Sequence, residues 1–114
     1  MEQKGELISY RSDIKVVDCT IRDGGLVNDF YFTDEFVRDL YKSNIEAGVD
    51  YMEFGYKASK DQFDVNKFGK WKFCDEQDIR DIVGENNTDL KISVMADVDE
   101  QILKRILFQK KTVL

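Results

Sequence analysis

Apolar and polar positions along this chain switch between two periods, and the switches mark elements. Ile14 to Cys19 (IKVVDC) is a short apolar run ending in polar residues, which predicts a buried strand. A glycine turn follows, and then FYFTDEFVRDLYKSNIEAG carries the start and stop signals of a helix. Thr33 is placed to cap the free amides, with Asp34 and Glu35 in the first turn, where they complement the helix dipole. Phe36, Val37, Leu40, Tyr41 and Ile45 recur at helical spacing, and Gly48 falls where a left-handed cap is expected. A second strand is predicted over Tyr51 to Gly55. Ala58 to Phe73 has no clean period and reads as a long loop. DEQDIRDIVGENN predicts a short helix with Ile79, Ile82 and Val83 inward and Gly84 as its stop. Leu90 to Ala96 (LKISVMA) predicts a third strand, and the segment from Val98 a third helix with Ile102, Leu103, Ile106 and Leu107 on its apolar face.

Strands separated by helices of this length cannot be hairpin partners. The pattern therefore predicts an α/β fold, a parallel sheet of about three successive βα units joined by right-handed crossovers. Nothing marks a domain boundary within residues 1–114, and there is no proline. Composition agrees with a packed domain: 42% of residues are apolar and eight are Phe, while the 35% that are charged are interspersed rather than blocked. The net charge of −6 disfavours nucleic acid and anionic membrane as partners, since phosphate binding draws on Lys and Arg. No apolar run approaches the roughly 20 residues of a membrane span, and MEQKGELISY lacks a signal-peptide core. Cys19 and Cys74 have neither disulfide-framework nor metal spacing, so free thiols in a reducing cytoplasm are expected.

Parallel α/β proteins place their sites outside the carboxyl ends of the strands. There the first strand delivers Asp18, Thr20, Arg22, Asp23, Gly24 and Gly25, the second Glu53, and the third Asp97. A carboxylate cluster beside an arginine can hold a hard divalent cation and polarise an oxyanion, and glycines allow a ligand close to the backbone. Each piece also has a plain structural reading. Asp-Gly is ordinary turn chemistry, Glu53 can be an ion-pair partner and Asp97 a helix cap. The stripe Phe30, Tyr31, Phe32 and Phe36 reads as core, and Trp71 with Lys70 and Lys72 as either an anion site or, more simply, a solvated loop. A cation held by one aspartate plus waters would be weak, which leaves a non-catalytic fragment as a further reading.

DCTIRDGG after the first strand resembles the D-x-T-L-R-D-G signature of the DRE-TIM metallolyases, the group containing hydroxymethylglutaryl-CoA lyase, isopropylmalate synthase and 4-hydroxy-2-oxovalerate aldolase. YMEFGY resembles that family's second-strand element, and GGLVNDFY is nearest to its aldolase-like subgroup. The likeness spans residues 14 to 97 or so. It implies a TIM (β/α)8 barrel, of which this chain would be an N-terminal fragment, since a full barrel takes about 250 residues. It also implies a divalent metal (Mg, Mn or Zn) and carbon–carbon bond cleavage or formation through an enolate of a 2-oxo acid or acyl substrate. In that likeness Asp23 is the metal ligand, Arg22 the group that stabilises enolate charge and Glu53 the acid that orients the site. Asp18 and Thr20 are supporting positions. The family completes its metal site with a later histidine pair, and this chain has no histidine. The resemblance therefore predicts an isolated chain that is inactive or nearly so, with exposed sheet edges that favour self-association. The rival from another class is a receiver-like signalling module using Asp18, Asp23 and Asp97. It needs five βα units and a strand-end lysine, whereas Lys104 falls in a predicted helix.

Overall fold

The computed structural model describes residues 13–96. Within them lie strand β1 (Val17–Asp18), helix α1 (Thr20–Asn28), helix α2 (Asp34–Ala47) and strand β2 (Tyr51–Lys57). A 3-10 turn (Lys70–Lys72), helix α3 (Glu76–Val83) and strand β3 (Lys91–Ala96) complete the order. The fold is α/β. Its sheet has three strands in the order β1-β2-β3, and both pairings are parallel, as the alternation of periods predicts. The third predicted helix and Asp97 lie outside the described residues.

The two regular helices form for the reasons the sequence supplies. Thr33 accepts a hydrogen bond from the Phe36 amide at 3.0 Å, and Gly48 closes α2 in the left-handed region with φ 75°. Val37 and Tyr41 point into the core, and in α3 Ile82 is buried with Ile79 and Val83 packed beside it. On β2, Met52 and Phe54 alternate onto the same face and meet these helices, with Ile92 and Val94 of β3 packed against the same cluster. Leu40 and Ile45 are partly buried, but Phe36 stays exposed. The aromatic stripe is thus split: Phe30 is core and Phe32 packs on it, while Tyr31 is exposed with Phe36.

Strand β1 is shorter than the predicted Ile14 to Cys19 and is not buried, because it lies at the sheet edge with Ile14, Val16 and Val17 exposed. Two further segments depart from the sequence reading. The predicted glycine turn is helix α1, and Gly24 and Gly25 sit inside it. Each glycine disfavours a helix by about 1 kcal/mol relative to alanine, which is why local pattern suggests a turn. Packing overrides that preference. Ile21 is fully buried, and Gly25 lies against the Phe30 ring, where a Cβ would come within 2.0 Å of a ring carbon. The chain leaves α1 through Asp29 and Phe30, both at positive φ, and the Asn28 side chain accepts from the Phe30 amide at 3.1 Å.

The second departure is the segment after β2, which is no solvated loop. Trp71 is fully buried, Phe73 and Cys74 are buried, and Lys70 is ion-paired to Asp34 at 2.6 Å. Gly55, at φ 140°, lets the Trp71 carbonyl lie where a Cβ would be 2.0 Å away. The Ala58 amide donates to the Lys72 carbonyl at 3.1 Å, and the Gly69 amide to the Asp29 carbonyl at 2.8 Å, so the segment is tied both to the end of β2 and to the end of α1. Among the described residues, no helix is long and apolar enough to cross a membrane.

Candidate functional site

The carboxyl ends of β1 and β2 lie side by side, because Val17 pairs with Tyr51 and Asp18 with Met52. β1 ends at Asp18 and the chain enters α1 at once, so Cys19, Thr20, Arg22 and Asp23 all emerge at that end. On β2 an irregularity between Glu53 and Tyr56 shapes the facing wall. Glu53 pairs with Ser93 and Tyr56 with Met95, so three steps on β2 match two on β3. Ser93 and Met95 share one face of β3, and the extra residue therefore brings Tyr56 round to the face that bears Glu53.

Arg22 reaches across this corner. Its Nε donates to Glu53 Oε1 at 2.7 Å, with the Glu53 side chain 12% exposed and that of Arg22 23%. The bond to Glu53 holds the guanidinium proton well above its ordinary affinity, with the Cys19 and Tyr56 side chains adding to it. Burial, and then its contact with Glu53, pushes the Cys19 thiol up, so Cys19 is a protonated wall of this corner rather than a thiolate. One carboxylate thus fixes Arg22 through Nε. The remaining N–H groups of its rigid fork stay on the guanidinium, a geometry suited to an oxyanion.

The other sequence-predicted residues fall into different surroundings. Asp23 lies 3.9 Å from Arg22 Nη1 and is 73% exposed, free to take a ligand. Asp18 Oδ1 accepts from the Thr20 hydroxyl at 2.6 Å, whereas its Oδ2 is buried without a hydrogen-bond partner among the described residues. Gly24 and Gly25 present no backbone cradle: both are helical, and the space at Gly25 is taken by Phe30. The structure thus brings Arg22, Glu53 and Asp23 into one corner, keeps Asp18 and Thr20 as its neighbours, and leaves the glycines a packing role.

The divalent cation implied by the family resemblance is not accommodated by these residues alone. Among the described residues there is no group of three or more His, Cys, Asp or Glu side chains that could hold a metal. Glu53 is engaged by Arg22, and Asp23 stands as a single exposed donor. Cys19 and Tyr56 were invisible as site members from sequence. Their only signal is adjacency: Cys19 sits inside the DCTIRDGG motif and Tyr56 closes YMEFGY. No family model, curated protein or solved structure matches the chain.

Proposed function

We propose that this chain carries the first βα units of a (β/α)8 barrel and the oxyanion-stabilising corner of a carbon–carbon lyase or aldolase. The substrate class is a 2-oxo acid or related acyl compound that passes through an enolate. One observation carries the reading: Arg22 is held by Glu53 at 2.7 Å at the carboxyl ends of two adjacent parallel strands. An arginine fixed on one side by a carboxylate keeps its other donors pre-aimed, and such donors lower the cost of charge on a carbonyl-derived oxygen. Glu53 is the positioning residue in this scheme. Asp23 would be one donor to a divalent metal, whose role when bound is to polarise the carbonyl. Further donors beyond the described residues are needed, so no step is assigned to the ion here.

Strand order speaks for this reading over the receiver-like one. A flavodoxin-like sheet places β1 between β2 and β3, whereas here β1 lies at one edge and β2 is central. Sequential winding is what the first units of a barrel show. Sequencing the gene beyond the Leu114 codon is the direct test: a later strand with His-x-His is expected. The longer product should cleave a 4-hydroxy-2-oxo acid to pyruvate with Mn²⁺, and Arg22→Lys should lower kcat by about 10²–10³. A longer product with no such histidines, or one phosphorylated by acetyl phosphate on Asp97, would sink the proposal.

A further inference from the structure

Exposed apolar side chains gather around the connection between α1 and α2. Helix α1 has nine residues and buries only Ile21 and Gly25, which leaves Leu26 exposed and Val27 91% exposed. Tyr31, in the connection, and Phe36, in the first turn of α2, are exposed as well. The set is continuous. Phe32 stacks on Phe36 at 5.4 Å and lies against Gly24, one helical turn before Val27. Tyr31 reaches the other way, its hydroxyl donating to the Asn66 carbonyl at 3.5 Å beside Val65, which is exposed too. Single exposed apolar residues are ordinary, but a contiguous patch of them marks an interaction surface.

The patch is held in place from behind. Phe63 and Phe68, on either side of Val65, pack edge-to-face. With Phe30 and Tyr56 they form a cage of four rings around the Lys72 ammonium, 4.1 Å from the centroid of Phe63, 4.8 Å from Tyr56 and 5.4 Å from each of Phe30 and Phe68. The Gly69 amide donates to the Asp29 carbonyl at 2.8 Å, so the loop bearing Val65 and the connection bearing Tyr31 are tied together. A surface ordered before binding loses little entropy on binding.

The charge around the patch is one-sided. From Asp23 to Asp39 the chain has five acidic residues and one basic, Arg38, which turns toward α3 and donates to the Asp81 carbonyl at 3.3 Å. Asp34 is paired with Lys70, and on the loop Asp61 and Asp64 stand against Lys67. Asp23 lies one turn before Val27 and Asp39 one turn after Phe36, on the same helix faces, so each apolar anchor has a carboxylate beside it. Such a rim repels nucleic acid and anionic lipid and attracts Lys and Arg. A second copy of this chain, with its net charge of −6, would bring like charge to it. We propose that the α1–α2 connection docks a cationic amphipathic segment of a partner protein. Its apolar face would lie on Val27, Tyr31 and Phe36, and its Lys or Arg residues against Glu35 and Asp39. Such docking is independent of the chemistry proposed for the strand ends.

The test uses the whole chain and fluorescein-labelled peptides of about 18 residues, long enough to form a helix, followed by fluorescence anisotropy. One peptide repeats Leu and Lys at helical spacing, a second has Glu for each Lys, and a third has Ser for each Leu. The Leu/Lys peptide should bind with a Kd on the order of 10 μM, and the other two at least about tenfold more weakly. Val27→Ser and Asp39→Lys should each weaken the Leu/Lys peptide by about tenfold, while Glu85→Lys, the same change of charge at an exposed position after α3, leaves it unchanged. Equal loss in Glu85→Lys, or equal binding of the Ser peptide, would mean diffuse attraction between charges and would overturn the proposal. Equal binding of the Glu peptide would mean unselective adhesion and would overturn it as well. Sedimentation of the wild type and Val27→Ser runs alongside: self-association lost in that variant would assign the patch to a second copy, against the proposal. Val27 is exposed, so its replacement leaves the core intact; should either patch variant not fold, the three peptides on the wild type still decide.

Discussion

Gly24 and Gly25 are neighbours in one helix, and alanine at the two positions should act with opposite signs. Local propensity treats them alike: in a helix interior, Gly→Ala gains about 1 kcal/mol. At Gly24 nothing opposes the gain. A Cβ there would have Phe32 Cζ at 3.7 Å, an ordinary contact, so Gly24→Ala should stabilise the chain by about 1 kcal/mol. At Gly25 the added carbon would lie 2.0, 2.2 and 2.7 Å from three carbons of the Phe30 ring. That ring is buried, packs edge-to-face on Tyr56 and forms part of the cage around Lys72, so it has little room to retreat. Overpacking of this kind costs typically about 1–3 kcal/mol or more, which exceeds the propensity gain. Gly25→Ala should therefore destabilise by about 1–2 kcal/mol net. Urea unfolding followed by the fluorescence of the buried Trp71 measures both, and the two variants should differ by about 2–3 kcal/mol. If Gly25→Ala proved as stable as Gly24→Ala, the packing of Phe30 onto α1 would be wrong. If both destabilised equally, the glycines would be in a turn after all.

A double-mutant cycle with Arg22→Met and Glu53→Gln should give a coupling energy of about 1–2 kcal/mol, between the values for exposed and fully buried pairs; a coupling near zero would remove the basis for Glu53 as a positioning residue. Burial raises the Cys74 thiol above its ordinary range, so the folded state keeps a proton that the unfolded chain gives up. Stability should then be flat below about pH 8 and fall above it by up to about 1.4 kcal/mol per pH unit, and Cys74→Ala should flatten that slope in pH-dependent urea titrations. Ile14, Val16 and Val17 are exposed at the β1 edge of the sheet, so the chain should self-associate with rising concentration, and Val17→Lys should weaken this; sedimentation showing one monomeric species at high concentration would refute it.

What the sequence made legible is what depends on local period and caps. The Thr33 and Gly48 signals bound α2 correctly, Gly84 ends α3, and β2 and β3 begin within a residue of their predicted starts. The errors at the two inner segments share one cause. At α1 and at residues 58–73, the structure is set by contacts between segments distant in sequence, and no window contains both partners. Gly25 reads as a turn residue unless Phe30 is known to fold back on it, and Trp71 reads as loop unless Gly55 is known to receive its carbonyl. The corner was legible in part. Arg22 and Glu53, 31 residues apart, were placed together by the rule that parallel strands end on one rim, and they meet at 2.7 Å. That rule says nothing of a residue carried in by a loop, so the sequence offers Lys72, with Lys70 and Trp71, as an anion site or a solvated loop without placing its aromatic surroundings.

The two misread segments are also the ones that build the far wall of the corner, and that coincidence has a physical basis. Phe30 can enter the cage because Gly25 leaves room for its ring and because Asp29 and Phe30 accept positive φ at the end of α1. Lys72 can reach the same cage because Gly69 lets the returning chain lie on the Phe30 carbonyl, where a Cβ would stand 2.0 Å away. Tyr56 joins them through the irregularity in β2 that turns it toward Glu53. Each of these features is unfavourable or neutral for its own segment: glycine in a helix, positive φ at a phenylalanine, a broken strand register. Together they gather the rings of Phe30, Tyr56, Phe63 and Phe68 around the Lys72 ammonium. Local preference is overridden where side chains of opposite segments must meet, and here four aromatic rings from three segments meet around the Lys72 ammonium.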